Sequence, residues 1–172
     1  TRLHEKIEKP KPARGWTVEV EEAVRGLPST KLLYYEDAYL KEFEGEVLAS
    51  LNGGFLVLDR TAFYPEGGGQ PSDRGTVKWV NGEAEVVDVQ KLGGIVLHRL
   101  KGDIPKTGVK IRGCIDWERR ISLMRHHTAT HLILGAARRV LGEHVWQWGA
   151  MKDVEKSRLD ITHYRKLSDQ EI

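Results

Sequence analysis

The sequence predicts an α+β protein. A linker and lead-in helix over residues 1–32 precede an antiparallel β-barrel over 33–115, and an incomplete α/β unit over 116–172 opens with a long helix. Three observations carry this reading. Short β-type runs separated by glycine and asparagine turns fill Lys41 to Ile115, the apolar period changes to a helical one at Asp116, and two further strand-like runs follow the helix. With 172 residues, 40% of them hydrophobic and 30% charged, the chain has the balance of a folded protein and material for one domain plus part of another.

Residues 1–16 are charge-rich, and Pro10 and Pro12 exclude a regular helix there. Thr17 to Leu27 reads as a short amphipathic helix stopped by Gly26 and Pro28, with an extended arrival at Leu32 to Tyr35. VLASL and FLVLDR flank Asn52-Gly53-Gly54. Asn81-Gly82 lies between GTVKWV and EAEVVDVQ and is the stronger hairpin signal, because Asn-Gly supplies the positive φ angles of a two-residue turn. IVLHRL follows Gly93-Gly94, and VKIRGCI follows Gly108. Strands this short and this regularly spaced predict a closed or nearly closed barrel.

Asp116 is placed to cap a helix whose first turn carries Glu118. Ile121, Met124, Leu132, Ala136, Val140 and Leu141 recur at helical spacing, and Gly142 is a C-terminal stop. HVWQWGAM and SRLDITHY read as strands of a new sheet. Ser168-Asp169-Gln170-Glu171 has the form of a capping box at the start of another helix, and Thr1 is not a methionine, so the expectation is a piece of a longer polypeptide.

The longest apolar runs, such as Phe55 to Leu58, are far short of the roughly 18–20 residues of a membrane span. No secretory signal opens the chain and the single cysteine, Cys114, has no internal partner, which fits a cytoplasmic location. The net charge of +2 does not by itself announce a nucleic-acid binder. Local clusters at Arg99, Lys101, Lys106, Lys110 and Arg112, then Arg119, Arg120, Arg125, Arg138 and Arg139, are either phosphate contacts or an ordinary solvated surface.

Two segments carry chemistry. His127-Thr128-Ala129-Thr130-His131 puts two imidazoles at i and i+4 on one helical face, either converging on a metal such as zinc or packing as ordinary helix residues. Thr128 leaves no general-base carboxylate beside the first histidine, so a His-Glu-x-x-His peptidase is excluded. Cys114, His144 and His163 are poor candidates for the remaining ligands. The second segment is RTAFYPEGGGQPSDRG, whose Gly67, Gly68 and Gly69 either bring backbone amides to a ligand or form a wide connection within the barrel. No Gly-Lys-Ser/Thr follows, so it is not a nucleotide P-loop.

Together with LYYEDAYLKEFEGEVL and IDWERRISLMRHHTATHLILGAARRVLG, these segments closely resemble the editing region of alanyl-tRNA synthetases and of free-standing alanyl-tRNA editing proteins, from about Leu33 to Glu171. The resemblance implies a glycine-motif β-barrel followed by the N-terminal part of an α/β editing domain similar to that of threonyl-tRNA synthetase. It implies zinc at His127 and His131, with the other two ligands in a later Cys-x-x-x-His that this sequence lacks. It also implies a site role for Gln147, twenty residues after the first histidine.

In the glycine segment, Thr61, Gly67, Gly68, Gly69, Gln70 and Asp73 are the candidates for substrate or tRNA contact. The implied reaction is hydrolysis of serine or glycine from tRNA(Ala), with the rest of the synthetase in cis. The residues before Leu33 favour a synthetase over a free-standing editor. A non-catalytic RNA-binding or structural module is the alternative of another class.

Overall fold

A computed structural model describes residues 18–172. Its centre is a closed antiparallel barrel of β2 (Glu42–Leu51), β3 (Phe55–Leu58), β7 (Ile95–Gly102), β6 (Gly82–Leu92), β5 (Gly75–Trp79) and β8 (Lys110–Ile115), in that spatial order. The ring closes where β8 pairs with β2, Glu42 opposite Cys114. Two short strands, β1 (Lys31–Leu32) and β4 (Arg60–Thr61), pair in parallel outside the ring. The expected linker over 1–16 lies outside the described residues. Of the lead-in helix, the described part is α1 (Val18–Val24).

Alternation along β3 and β7 explains why both read as continuous apolar runs. Leu56, Leu58, Val96 and Leu100 belong to the barrel core with Phe63, Val77 and Val86. Val57, Ile95 and Leu97 belong instead to a second cluster that Val24 of α1 joins. Both faces of these strands are therefore covered, as in any sheet with a helix on its outer side.

The Asn-Gly turn differs from expectation by one residue. Val80 and Asn81 form the turn, and Gly82 is the first residue of β6, opposite Trp79. A Cβ at Gly82 would lie 2.4 Å from the Trp79 ring, so glycine is needed there for the close approach of the indole and not for a positive φ.

His98, on β7, is fully buried. It bonds the Thr61 hydroxyl through Nε2 at 2.8 Å and the Leu56 carbonyl through Nδ1 at 3.1 Å, with Phe63 packed edge-on. Burial pushes its pKa down from 6.5 to about 4, so the ring is neutral in the fold. The folded state is thus favoured fully above pH 6.5, and the advantage is lost as pH falls towards 4, where the unfolded chain binds a proton the folded one refuses. Chemical denaturation at pH 7 and 4.5 should show wild type losing about 2–3 kcal/mol more than His98→Gln across that interval. Equal losses in both proteins would remove His98 as the cause.

The long helix α2 (Trp117–Leu141) starts at Asp116, whose carboxylate accepts from Arg119 N–H at 3.1 Å, and ends at Gly142. Its first half is tied by Arg119 and Arg120 to the segment between β4 and β5, with Leu123 fully buried. Its second half does not form the expected apolar contact face, since Leu132 and Val140 are 70% and 57% exposed. The antiparallel pair β9 (Gln147–Lys152) and β10 (Ser157–Ile161) lies against one side of the helix, consistent with the two strands expected after it. At Ser168 the Glu171 carboxylate accepts from the serine N–H and hydroxyl, but the residues form a turn and not a helix. A single turn carries the full nucleation cost without propagation.

Candidate metal and substrate site

The glycine segment, between β4 and β5, is folded back on itself. Gly67 and Gln70 exchange backbone hydrogen bonds at 3.0 Å in both directions, and Asp73 binds the Tyr64 backbone N–H through its side chain at 2.7 Å. Gly69 has φ +74°, and a Cβ there would lie 2.1 Å from the Ala150 carbonyl oxygen on β9. Lys152 of β9 then donates its backbone N–H to Gly69 O and its ammonium to Gly68 O, both at 2.8 Å. The glycines let a second backbone come close, but that backbone is the protein's own strand.

Asp73 and Arg120 form a buried ion pair, 1% and 3% exposed, reinforced by Arg120 donating to the carbonyls of Ala38 and Ala62. Arg119 donates to Ser72 O at 3.1 and 3.2 Å. These two members of the expected basic cluster therefore hold the helix to the loop and are not free for phosphates. Arg112 pairs with Glu42, and Arg138 lies over the Trp146 ring at 4.2 Å. Thr61 and Asp73, both expected as candidate substrate or tRNA contacts, are enclosed and committed to His98 and Arg120. Gln70 is also buried, at 4% exposure, but lines a cavity, while Gly67 is half-buried and Gly68 exposed.

His127 and His131 stack on one face of α2, ring centroids 5.1 Å apart and planes 24° from parallel. His127 Nδ1 lies 2.8 Å from Gln70 Oε1 across 57 residues of sequence. An amide oxygen is an acceptor only, so Nδ1 carries the proton and Nε2 keeps its lone pair. A metal-binding histidine is held in this way, its second nitrogen fixed by an oxygen acceptor.

Burial lowers the His127 pKa, with Lys152 and His131 adding to the effect, which keeps the ring neutral near pH 7. The donor chemistry fits zinc, and the number of donors fits half of a tetrahedral site. Among the described residues no group of three or more His, Cys, Asp or Glu comes together to complete one. Cys114 is on β8 in the barrel, and His144 bonds His163 at 2.9 Å, so none of the three joins the pair.

Gln147 is exposed at the head of β9, opposite Ile161 at a register shift. Among the described residues its side chain makes no hydrogen bond to the histidine pair. Arg120, Lys152 and the tyrosines around Gln70 were not anticipated as neighbours of the site. Arg120 had one available signal, its position seven residues before His127 on the same helical face; Lys152 had none. No described helix is long and apolar enough to cross a membrane.

Residues 5–119 match the family model for tRNA synthetases class II (A), a match that ends before His127. The chain is 56% identical over 164 residues to an alanine–tRNA ligase of Korarchaeum cryptofilum, covering 95% of this chain and 18% of that protein. An alanine–tRNA ligase of Methanopyrus kandleri is 56% identical over 149 residues, 85% of this chain and 16% of the relative. One of Thermoplasma acidophilum is 57% identical over 143 residues, 83% and 16% respectively. The chain thus spans less than a fifth of the length of these curated relatives. A barrel joined to a histidine-bearing helix, matched through its first two thirds by this model, belongs to the class II tRNA synthetase (A) family.

Proposed function

We propose that this chain is the editing region of an alanine–tRNA ligase and hydrolyses the ester that joins serine or glycine to tRNA(Ala). The observation that carries the reading is the stacked His127–His131 pair, with His127 oriented by Gln70 of the glycine segment, in a chain similar to alanine–tRNA ligases over most of its length. The short span of the relatives favours a synthetase over a free-standing editor, with the remaining synthetase in cis and tRNA(Ala) as substrate.

The chemical need is discrimination. A pocket that accepts alanine rejects glycine and serine poorly, because one methyl or one hydroxyl changes binding by too little. A second hydrolytic site removes the errors. Water adds to the acyl carbon, the bond from that carbon to the ribose oxygen breaks, and serine leaves with the tRNA hydroxyl restored.

In this reading His127 and His131 hold zinc with two ligands supplied from elsewhere in the polypeptide. When bound, the ion supplies Lewis acidity for the carbonyl or for water. Gln70 keeps His127 in its ligating tautomer. Gln147, open to solvent, offers its amide to the polar groups of the substrate.

Serine release from Ser-tRNA(Ala) by the full-length synthetase tests this. Gln147→Ala should slow hydrolysis about a hundred-fold, the scale of one lost hydrogen-bond donor at a reacting oxygen, with alanine attachment retained. Wild type releasing serine no faster than the free ester hydrolyses would end the proposal.

A further inference from the structure

The hairpin of β9 and β10 is irregular at the residue that the proposed reaction uses. Gly149 stands opposite Asp160 and Gln147 opposite Ile161, so Trp148 is one residue too many on its strand, a β-bulge. A shift of the pairing by one residue would carry Gln147 to the other face of the sheet. Backbone rungs are alike at every register, so they do not by themselves fix the side on which Gln147 stands.

A side-chain pair at the open end of the hairpin does distinguish the registers. His144, between α2 and β9, and His163, just after β10, bond through Nε2 and Nδ1 at 2.9 Å, with ring centroids 5.1 Å apart. Tyr164 packs on both rings, at 5.3 and 4.7 Å. One facing nitrogen donates and the other accepts, so neither is left for a metal. His163 Nε2 is buried and has no partner among the described residues. Nδ1 is therefore the ring's single polar anchor, and a slip that drew it away from His144 would leave both nitrogens unsatisfied.

The start of β9 is held to the helix, since Arg138 Nε donates to Val145 O at 2.9 Å. Thr162 makes the next rung inward. Its N–H donates to Trp146 O at 2.9 Å, and its hydroxyl accepts from Trp146 N–H at 2.8 Å and donates to His144 O at 3.0 Å. The strand left to slide is β10, and His163 stands at its end.

We propose that the His144–His163 pair is a register lock that positions Gln147 for hydrolysis, His163 being a positioning residue that does not itself touch the substrate. This rests on the editing reading. The lock ties β10 to the strand that α2 holds, and so keeps the bulge at Gln147.

Two variants of the full-length synthetase test it. His163→Leu removes the anchor, whereas His163→Asn puts an amide in the position of Nδ1, within reach of His144 Nε2. His163→Leu should lower kcat for serine release from Ser-tRNA(Ala) about ten-fold with KM little changed, less than the loss from Gln147→Ala because the amide is misplaced and not removed. His163→Asn should recover most of that loss. In a Gln147→Ala background His163→Leu should change kcat no further, since both changes act through one group. Alanine attachment reports that each protein is folded. Hydrogen exchange of peptides spanning 145–162 should be faster than wild type in His163→Leu and close to wild type in His163→Asn.

Unchanged kcat in His163→Leu overturns the assignment, as do losses that multiply in the double variant or a His163→Asn protein as impaired as His163→Leu. If wild type releases no serine, the editing function falls by itself. Faster exchange in His163→Leu alone would then leave the lock standing, and unchanged exchange would remove it too.

Discussion

Arg120→Met is expected to destabilise the protein by about 3–5 kcal/mol, because it leaves the Asp73 carboxylate buried without its cation. The pair is enclosed, Arg120 spans from α2 to carbonyls at Ala38 and Ala62, and Asp73 also anchors Tyr64 N–H. Loss of the guanidinium thus leaves a charge and two carbonyls without their partner in one step. Denaturant titration at pH 7 measures the loss. A double variant, Arg120→Met with Asp73→Asn, should recover part of it, since no bare charge then remains. If the single variant costs under about 1 kcal/mol, the pair is solvated in solution and α2 is held by Leu123 packing instead.

His127→Ala and His131→Ala in the full-length synthetase are each expected to lower zinc affinity by more than about a hundred-fold and to abolish serine release, because each removes a ligand from the proposed site. Gln70→Leu should weaken zinc by about ten- to a hundred-fold by releasing the His127 Nδ1–H from its acceptor, while Gln70→Glu, which keeps an oxygen there, should hold most of the affinity. Competition with a chromophoric chelator reads all four without relying on activity. Unchanged affinity in both histidine variants would mean that the pair is a packing feature of α2. Unchanged affinity in Gln70→Leu alone would leave the ligands and remove the orienting role.

Much of the fold was legible in local sequence. The barrel strands follow from turn residues and from runs of four or more apolar or alternating residues, and α2 from an Asp cap, a helical period and a terminal glycine. The shared face of His127 and His131 follows from the four-residue interval in a helix, which needs no tertiary information. Such features depend on neighbours within a few residues, and their period identifies them.

The tertiary structure alone decided what each face meets. Periodicity placed Leu132 and Val140 on an apolar stripe, but in the fold both stand largely in solvent. Composition counted Arg119 and Arg120 as available cations, until contacts across 47 residues committed them to Ser72 and Asp73. The glycine segment by itself read as a connection before a ligand cradle, and the approach of β9 to Gly69 gives it a docking role. Gln70 meets His127 across 57 residues. Sequence spacing shows which side chains share a surface, whereas ion pairs, buried amides and close backbone contacts depend on long-range closure, whose partners carry no local period.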